Sequence, residues 1–432
     1  MNVENFMKII LGAGISGLGA YCADSNSYIF EQTNKGGGLC ANFKIDNFTF
    51  DQAVHLSFTK ESLVRSYFDR VKHISHHPVP YSWYHEGWFQ HPAQNNLYPL
   101  PAREKVGAVK GFIERCGEND TENFEDWTRS QYGDWLYEHL FRPYNEKYWC
   151  TELKELATDW IENRIYRPTI DEVLYGSYSP ETPNTYYAKE MRYPCGGGYE
   201  AFLISIIEQA EEDKHIKYQK KVIQVDTDRH EVRFKDGDTI AYKELLSSIP
   251  LTDIFDMVIG CPEEVKKAAN QLEYTSLSLV SIAFNRVLDL DKMWFYIYDR
   301  DIMAARAYMP SVKSPQNAPA GCSSIQFEIY FHPQVGAPGQ DACMENCLYA
   351  LKKMGIAEKE DILFMDCRVV PYGNIIFKKG TVKTAEYLTG WLRKSGITPI
   401  GRFGEWKYLW SDQAFLSGYH AAEKQLTNGE KE

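Results

Sequence analysis

Apolar positions in this 432-residue chain fall into short runs with two different periods, and their order predicts an α/β protein, α+β overall. An apolar strand at the start runs into Gly12-x-Gly14-x-x-Gly17, a helix follows, and a second strand ends on Glu31. From about 61 to 160 the pattern is mostly helical and rich in Trp and Tyr, with helices predicted over 61–71, 103–116 and 123–140. Turn signals there are Pro78, Pro80, Pro92, Pro99, Pro101 and Gly117. A helix over 199–211 precedes short alternating strands at 217–226 and 231–234, a turn at Asp236-Gly237, and a strand over 244–249 stopped by Pro250. Period-two or apolar runs at 277–284, 293–298 and 324–330 predict an antiparallel sheet. The chain then reads as helix 342–354, strand 362–370, helix 382–394, strand 397–403 and helix 412–425, with Ser411 or Asp412 as the last N-cap. Three units follow from this order. A Rossmann-like dinucleotide domain takes 1–60, 190–250 and 397–432, a mainly helical cap takes 61–189, and an antiparallel sheet domain takes 251–396.

The glycine spacing has a physical reading. Gly12 permits a tight turn, Gly14 lets backbone approach a pyrophosphate, and Gly17 lets helix and strand pack closely. The helix N-terminus adds oriented N–H donors. Glu31, 19 residues beyond Gly12, is placed to accept hydrogen bonds from an adenosine ribose. With strand, helix and acid all present, a plain Gly-rich turn is the weaker reading. At this point the dinucleotide is either NAD or FAD.

Charge narrows the partners. With 47 basic and 59 acidic side chains the net charge is −12, which argues against nucleic acid or an anionic membrane as partner. An anionic ligand would need a local cluster of arginines. The 29 tyrosines suit a pocket that stacks rings and donates hydroxyl hydrogen bonds. Ten cysteines are scattered without a Cys-x-x-Cys pair. Cys343 and Cys347, one helical turn apart, read as packing on a buried face and not as a metal pair, so no metal is expected. The N-terminus lacks a basic n-region and the apolar run near Ile9 is too short to span a membrane, which predicts a reduced, cytoplasmic protein.

Further blocks define the chemistry. A second glycine turn, Lys35-Gly36-Gly37-Gly38, follows the acid, then Phe50-Asp51 and His55, an order typical of FAD enzymes. Later come His91-Pro92-Ala93-Gln94-Asn95-Asn96, Pro143-Tyr144-Asn145-Glu146-Lys147-Tyr148-Trp149 with Arg164, and Gly401-Arg402-Phe403-Gly404 with Tyr408. Together they resemble the UDP-galactopyranose mutase family, most closely its eukaryotic branch, within the FAD-dependent amine oxidase and protoporphyrinogen oxidase superfamily. The resemblance implies bound FAD held by Gly12, Gly14, Gly17, Glu31, Gly38, Val222, Arg402, Asp412 and Gln413. It implies a nucleotide site of Gln94, Asn145, Trp149 and Arg164, and a diphosphate cradle of Arg164, Arg306, Tyr296, Tyr372 and Tyr408. His55, Asn184 and Arg402 match groups beside the flavin and the sugar, and with Arg164 and Arg306 they are the expected catalytic set. Two arginines can bind a diphosphate by bidentate, charge-assisted hydrogen bonds. Where the family has Gly-Gly before the flavin-side His, this chain has Ala53-Val54, and His91 and Ala93 replace aromatics at the base site.

What the resemblance implies is a flavin-dependent mutase that interconverts pyranose and furanose forms of a nucleoside-diphosphohexose, UDP-hexose first, through a sugar adduct on reduced flavin N5. NAD(P)H is the candidate reductant, polysaccharide biosynthesis the setting, and the oligomeric state is left open. Two rival readings are an oxidase or desaturase of the same superfamily, which has no need of a diphosphate cradle, and a non-catalytic sugar-nucleotide-binding flavoprotein.

Overall fold

A computed structural model describes residues 7–117, 121–161 and 164–429. Its first sheet is built around Met7–Leu11, whose Ile9, Ile10 and Leu11 are fully buried, as an apolar strand covered on both faces must be. Tyr28–Phe30 lies parallel on one side and Thr239–Ser247 on the other. Ile216–Lys217 and Ile397–Pro399 extend the parallel part. Val222–Asp226 and Glu231–Phe234 fold back antiparallel on the first half of Thr239–Ser247. That strand therefore begins well before the predicted residue 244. Helix Ile15–Ala23 and the final helix Ser411–Gly429 cover this sheet backbone to backbone. A Cβ added to Gly418 would stand 1.8 Å from the Ser16 carbonyl oxygen.

The second sheet runs in the order Ile362–Val370, Ser276–Phe284, Ser323–Phe331, Arg306–Tyr308, Trp294–Ile297, Tyr81–Tyr84, Gly87–Gln90. All three predicted runs are strands of it, and Arg306–Tyr308 is an unforeseen short strand between them. All its pairings are antiparallel except that of Tyr81–Tyr84 with Trp294–Ile297. Helix Gln340–Lys353 packs against this sheet with Cys343 and Cys347 buried.

Three expectations are corrected. The mostly helical reading of 61–160 hides strands His73–His76, Tyr81–Tyr84 and Gly87–Gln90, and the last two join the second sheet although they fall in the 61–189 cap segment. Their hairpin turns at His85-Glu86, both at positive φ, without the Asn-Gly or Asp-Gly signal that marks such turns. The helix over 123–140 is interrupted. Asn123 caps Phe124–Tyr132 as its residue type suggests, but Gly133 at φ +82° ends it, where a Cβ would meet Gly111 O at 2.1 Å. The chain continues through Asp134–Leu136 and a π-helical turn, Tyr137–Phe141, into Arg142–Trp149. Finally, the strand over 397–403 stops at Pro399, and Gly401–Gly404 is a helical turn.

Candidate active site

Backbone builds the dinucleotide end. Gly12 sits at φ +101°, and a Cβ there would lie 2.2 Å from Ser248 Oγ. A Cβ on Gly17 would stand 2.0 Å from Gly12 O, so helix and turn touch directly. At Gly14 the nearest atom to an added Cβ is Gly38 Cα, 3.9 Å away. The two glycine turns thus face each other, and no side chain caps the first turn of Ile15–Ala23. Glu31, 7% exposed, accepts the Ala13 N–H at 2.8 Å on one oxygen. Its other oxygen takes the Thr33 N–H and hydroxyl, each at 2.8 Å. The first oxygen keeps a second lone pair for a ribose hydroxyl. Val222 opens its strand nearby, tied in by the Lys220 N–H donating to Glu31 O at 2.8 Å.

A cavity of about 480 Å³ lies beyond this end. One wall is the flavin-side loop. Ala53 adopts φ +79°, the left-handed region that its glycine counterpart in the resembling family would adopt freely. Next to it, the Val54 N–H donates to Glu328 at 2.8 Å. His55 lies 5.2 Å from the Tyr199 ring, and burial lowers its pKa to about 4, so the imidazole is neutral. Arg402 reaches the same wall, donating to Asn374 Oδ1 at 3.0 Å and to Leu409 O at 3.2 Å. Its Nε and the Asn374 Nδ2 are buried without a partner among the described residues, two donors available to a bound group.

The opposite wall is the second sheet. Tyr296 pairs with Arg306, and Arg306 with Glu328, across adjacent strands. The ten-residue spacing of Tyr296 and Arg306 is thus the register of one antiparallel ladder. Burial works against the Arg306 charge, and the fully buried Glu328 carboxylate overrides it, holding the guanidinium protonated. Among the described residues Arg306 is hydrogen-bonded through Nε, to Glu328, which leaves its two terminal nitrogens for an anion. Arg164 donates to Tyr408 O at 2.8 Å and Trp160 O at 3.2 Å, with its charge 4.7 Å from the Tyr408 ring centre and 5.1 Å from that of Trp410. Arg402 stands 4.5 Å from the same Tyr408 ring. Gln94, Asn145 and Trp149 line the cavity too. The Asn145 side chain is engaged within its own helix, accepting from Trp149 Nε1 at 3.2 Å and donating to Phe141 O at 2.8 Å, so it sets the indole. Gln94 donates to Tyr166 O at 3.0 Å.

Other expected residues stand elsewhere. Asn184 is not part of the cavity wall: it donates to Pro78 O at 3.0 Å and accepts the Tyr186 N–H at 3.0 Å, which orders a loop, while Thr185, Tyr186 and Tyr187 line the cavity in its place. Tyr372 lines the cavity, yet its hydroxyl is committed to Asp253 at 2.6 Å and to Thr252 at 3.1 Å. Ala93 is fully buried outside the wall, whereas His91 lines it, 4.4 Å from the Tyr296 ring. Of the last helix, Ser411 and Ala414 face the cavity, not Asp412 and Gln413. Ser411 is bonded to the Tyr199 hydroxyl at 2.7 Å, and the start of the helix is closed by Gln413 reaching back to the Trp410 N–H at 2.9 Å. Asp412 accepts the Gln413 N–H at 2.9 Å.

Sequence reasoning missed Tyr148, Tyr330, Asn374 and above all Glu328. Tyr148 bonds the Tyr408 hydroxyl and Asn374, each at 3.3 Å, and Tyr330 donates to Glu328 at 2.7 Å. Burial raises both phenols, so they stay neutral donors. A signal existed: Gln326, Glu328 and Tyr330 recur with period two in a strand buried throughout, which puts polar groups on one enclosed face.

Facing glycine turns, an uncapped helix start, a ribose acceptor and unpartnered donors at the flavin-side wall fit a bound flavin dinucleotide. In agreement, the family model for flavin containing amine oxidoreductases matches residues 26–360, and the chain belongs to that family. Among solved structures it is similar to reduced UDP-galactopyranose mutase, with a TM-score of 0.92 and 22% identity over 98% of this chain and 96% of that one. A putative protoporphyrinogen oxidase from Exiguobacterium sp. 255-15 follows with a TM-score of 0.72 and 15% identity, covering 98% of this chain and 99% of its own. Putrescine oxidase bound to putrescine has a TM-score of 0.68 and 12% identity, again over 98% and 99%. These likenesses are of fold.

Proposed function

We propose that the protein is a flavin-dependent nucleoside-diphosphohexose mutase acting on a UDP-hexose, with FAD as its cofactor and NAD(P)H as the reductant. One observation supports this most: Arg164, Arg306, Tyr296 and Tyr408 line the same cavity as the flavin-side loop and Arg402. When bound and reduced, the flavin supplies an electron-rich N5 nucleophile for the anomeric carbon. The terminal nitrogens of Arg306 and the charge of Arg164 bind the diphosphate, in the ground state and after it leaves the sugar. Tyr296 and Tyr408 add neutral hydroxyl donors that do not overcharge an acidic protein. Held in the cavity, the departed diphosphate returns without the entropic cost of a second encounter. Neutral His55 and Arg402 orient the flavin edge, and Tyr186, Tyr187 and Trp410 shield it from water.

The test is turnover per reduction. After one reduction with dithionite, many molecules of UDP-galactopyranose should isomerise, with no reductant consumed per turnover. Stoichiometric oxidation of an amine or other substrate with oxygen uptake would instead establish an oxidase.

A further inference from the structure

We infer that Glu328 is a positioning residue that links the flavin-side turn at Ala53-Val54 to the anion-binding arginine Arg306. Glu328 is completely buried and touches both walls of the cavity. One carboxylate oxygen accepts the Val54 N–H at 2.8 Å. The other takes Arg306 Nε and the Tyr330 hydroxyl, the latter at 2.7 Å. The ladder register places Glu328 directly across from Arg306, and the Glu328 carbonyl is fixed by the Ala305 N–H at 3.0 Å. The turn it holds is unusual, because Ala53 stands at φ +79°, a conformation that persists in a non-glycine residue only where its surroundings enforce it. One rigid carboxylate therefore serves two groups. If an anion draws the Arg306 guanidinium, Glu328 follows, and the Val54 amide is displaced with it. Anion binding and the geometry of the flavin-side turn are coupled through this residue.

A buried ion pair with a purely architectural role would affect stability and nothing else. The two roles separate in Glu328→Gln, which keeps the shape but must set one amide N–H against either Val54 N–H or Arg306 Nε–H. The FAD-loaded enzyme is titrated with UDP, with affinity read by calorimetry and the turn read by the flavin visible spectrum. UDP should perturb the flavin bands of the wild type. In Glu328→Gln, UDP should bind about tenfold more weakly and the bands should no longer respond. Arg306→Lys cuts the link from the other side by removing the Nε donor, so it should lose the spectral response too, and it serves where the Gln variant does not fold. A response and an affinity equal to wild type in either variant overturn the inference, as does a wild-type spectrum indifferent to bound anion. The choice of UDP rests on the mutase reading. A wild type that binds no UDP sinks that reading alone, and the coupling is then tested with pyrophosphate.

Discussion

The dinucleotide end and the second sheet make their candidate sites by opposite means. Around Met7–Leu11 the candidate ligand groups are mainly backbone: glycine turns and a helix start, joined by the Glu31 carboxylate, whose own bonds close the loop. On the second sheet they are side chains, with Tyr296, Arg306 and the supporting Glu328 set side by side by the pairing of three neighbouring strands. A backbone site depends on spacing within a short stretch. A side-chain site depends on register between paired strands and on the buried polar groups that hold its charges, as Glu328 holds Arg306. The first fails when a Cβ or a loop bond is changed, the second when a charge loses its partner.

The sharpest way to break this contrast is Arg306→Ala. Removing the guanidinium leaves Glu328 as an unpaired buried charge, which should cost about 3–5 kcal/mol of folding stability in urea titrations. Nucleoside diphosphate affinity should fall by about 2–5 kcal/mol in calorimetry. Flavin content should stay near one per chain, because no group of the glycine end is touched. Unchanged UDP affinity would remove Arg306 from the cradle, and loss of flavin would show that the two sheets do not act separately.

Glu31→Ala probes the other side. It strips acceptors from the Ala13 and Thr33 amides as well as from the ribose, and should weaken FAD binding by about 1–3 kcal/mol. UDP affinity of the reconstituted protein should not change. Smaller still is Tyr330→Phe, which removes one of three donors to Glu328 and should cost about 0.5–1.5 kcal/mol of stability, read by urea unfolding. A larger loss would place the Tyr330 hydroxyl among the groups that hold the ion pair together.

The same contrast explains what was legible before the structure. Gly12, Gly14, Gly17 and Glu31 are close in sequence, so spacing alone marks them as candidates, and the structure sets their turns side by side. Asn145, Trp149, Arg164, Tyr296, Arg306 and Tyr408 are candidates only through resemblance, and all six line the cavity. Resemblance does not give orientation, and so it missed that Tyr372 spends its hydroxyl on Asp253 and that Asn184 faces Pro78. Glu328 was overlooked because a lone acid in an apolar strand reads as a defect until its partners, 22 and 274 residues away, are known. The interrupted helix at Gly133 escaped for a similar reason, since the carbonyl that requires glycine belongs to Gly111 on another helix.

The pH dependence of stability is the gentlest test, because it touches the two walls without changing either sheet. Burial lowers His55 to about 4 and His91 to about 3, from the ordinary histidine value near 6.5. In the unfolded chain both rings take up protons as pH falls through 6.5, while the folded protein refuses them until far lower. Between these values the unfolded state binds more protons, so stability is full above about 6.5 and declines toward pH 4. The limit is about 1.4 kcal/mol per pH unit for each ring. Both rings line the open cavity, so each should contribute less than ~1 kcal/mol per unit. Urea unfolding of the flavin-free protein at a series of pH values should trace this slope. His91→Phe, which keeps a ring beside Tyr296 but cannot titrate, should flatten it by about half, while His55→Phe removes the flavin-side share. A slope unchanged in both variants would remove the two cavity histidines from the control of acid unfolding.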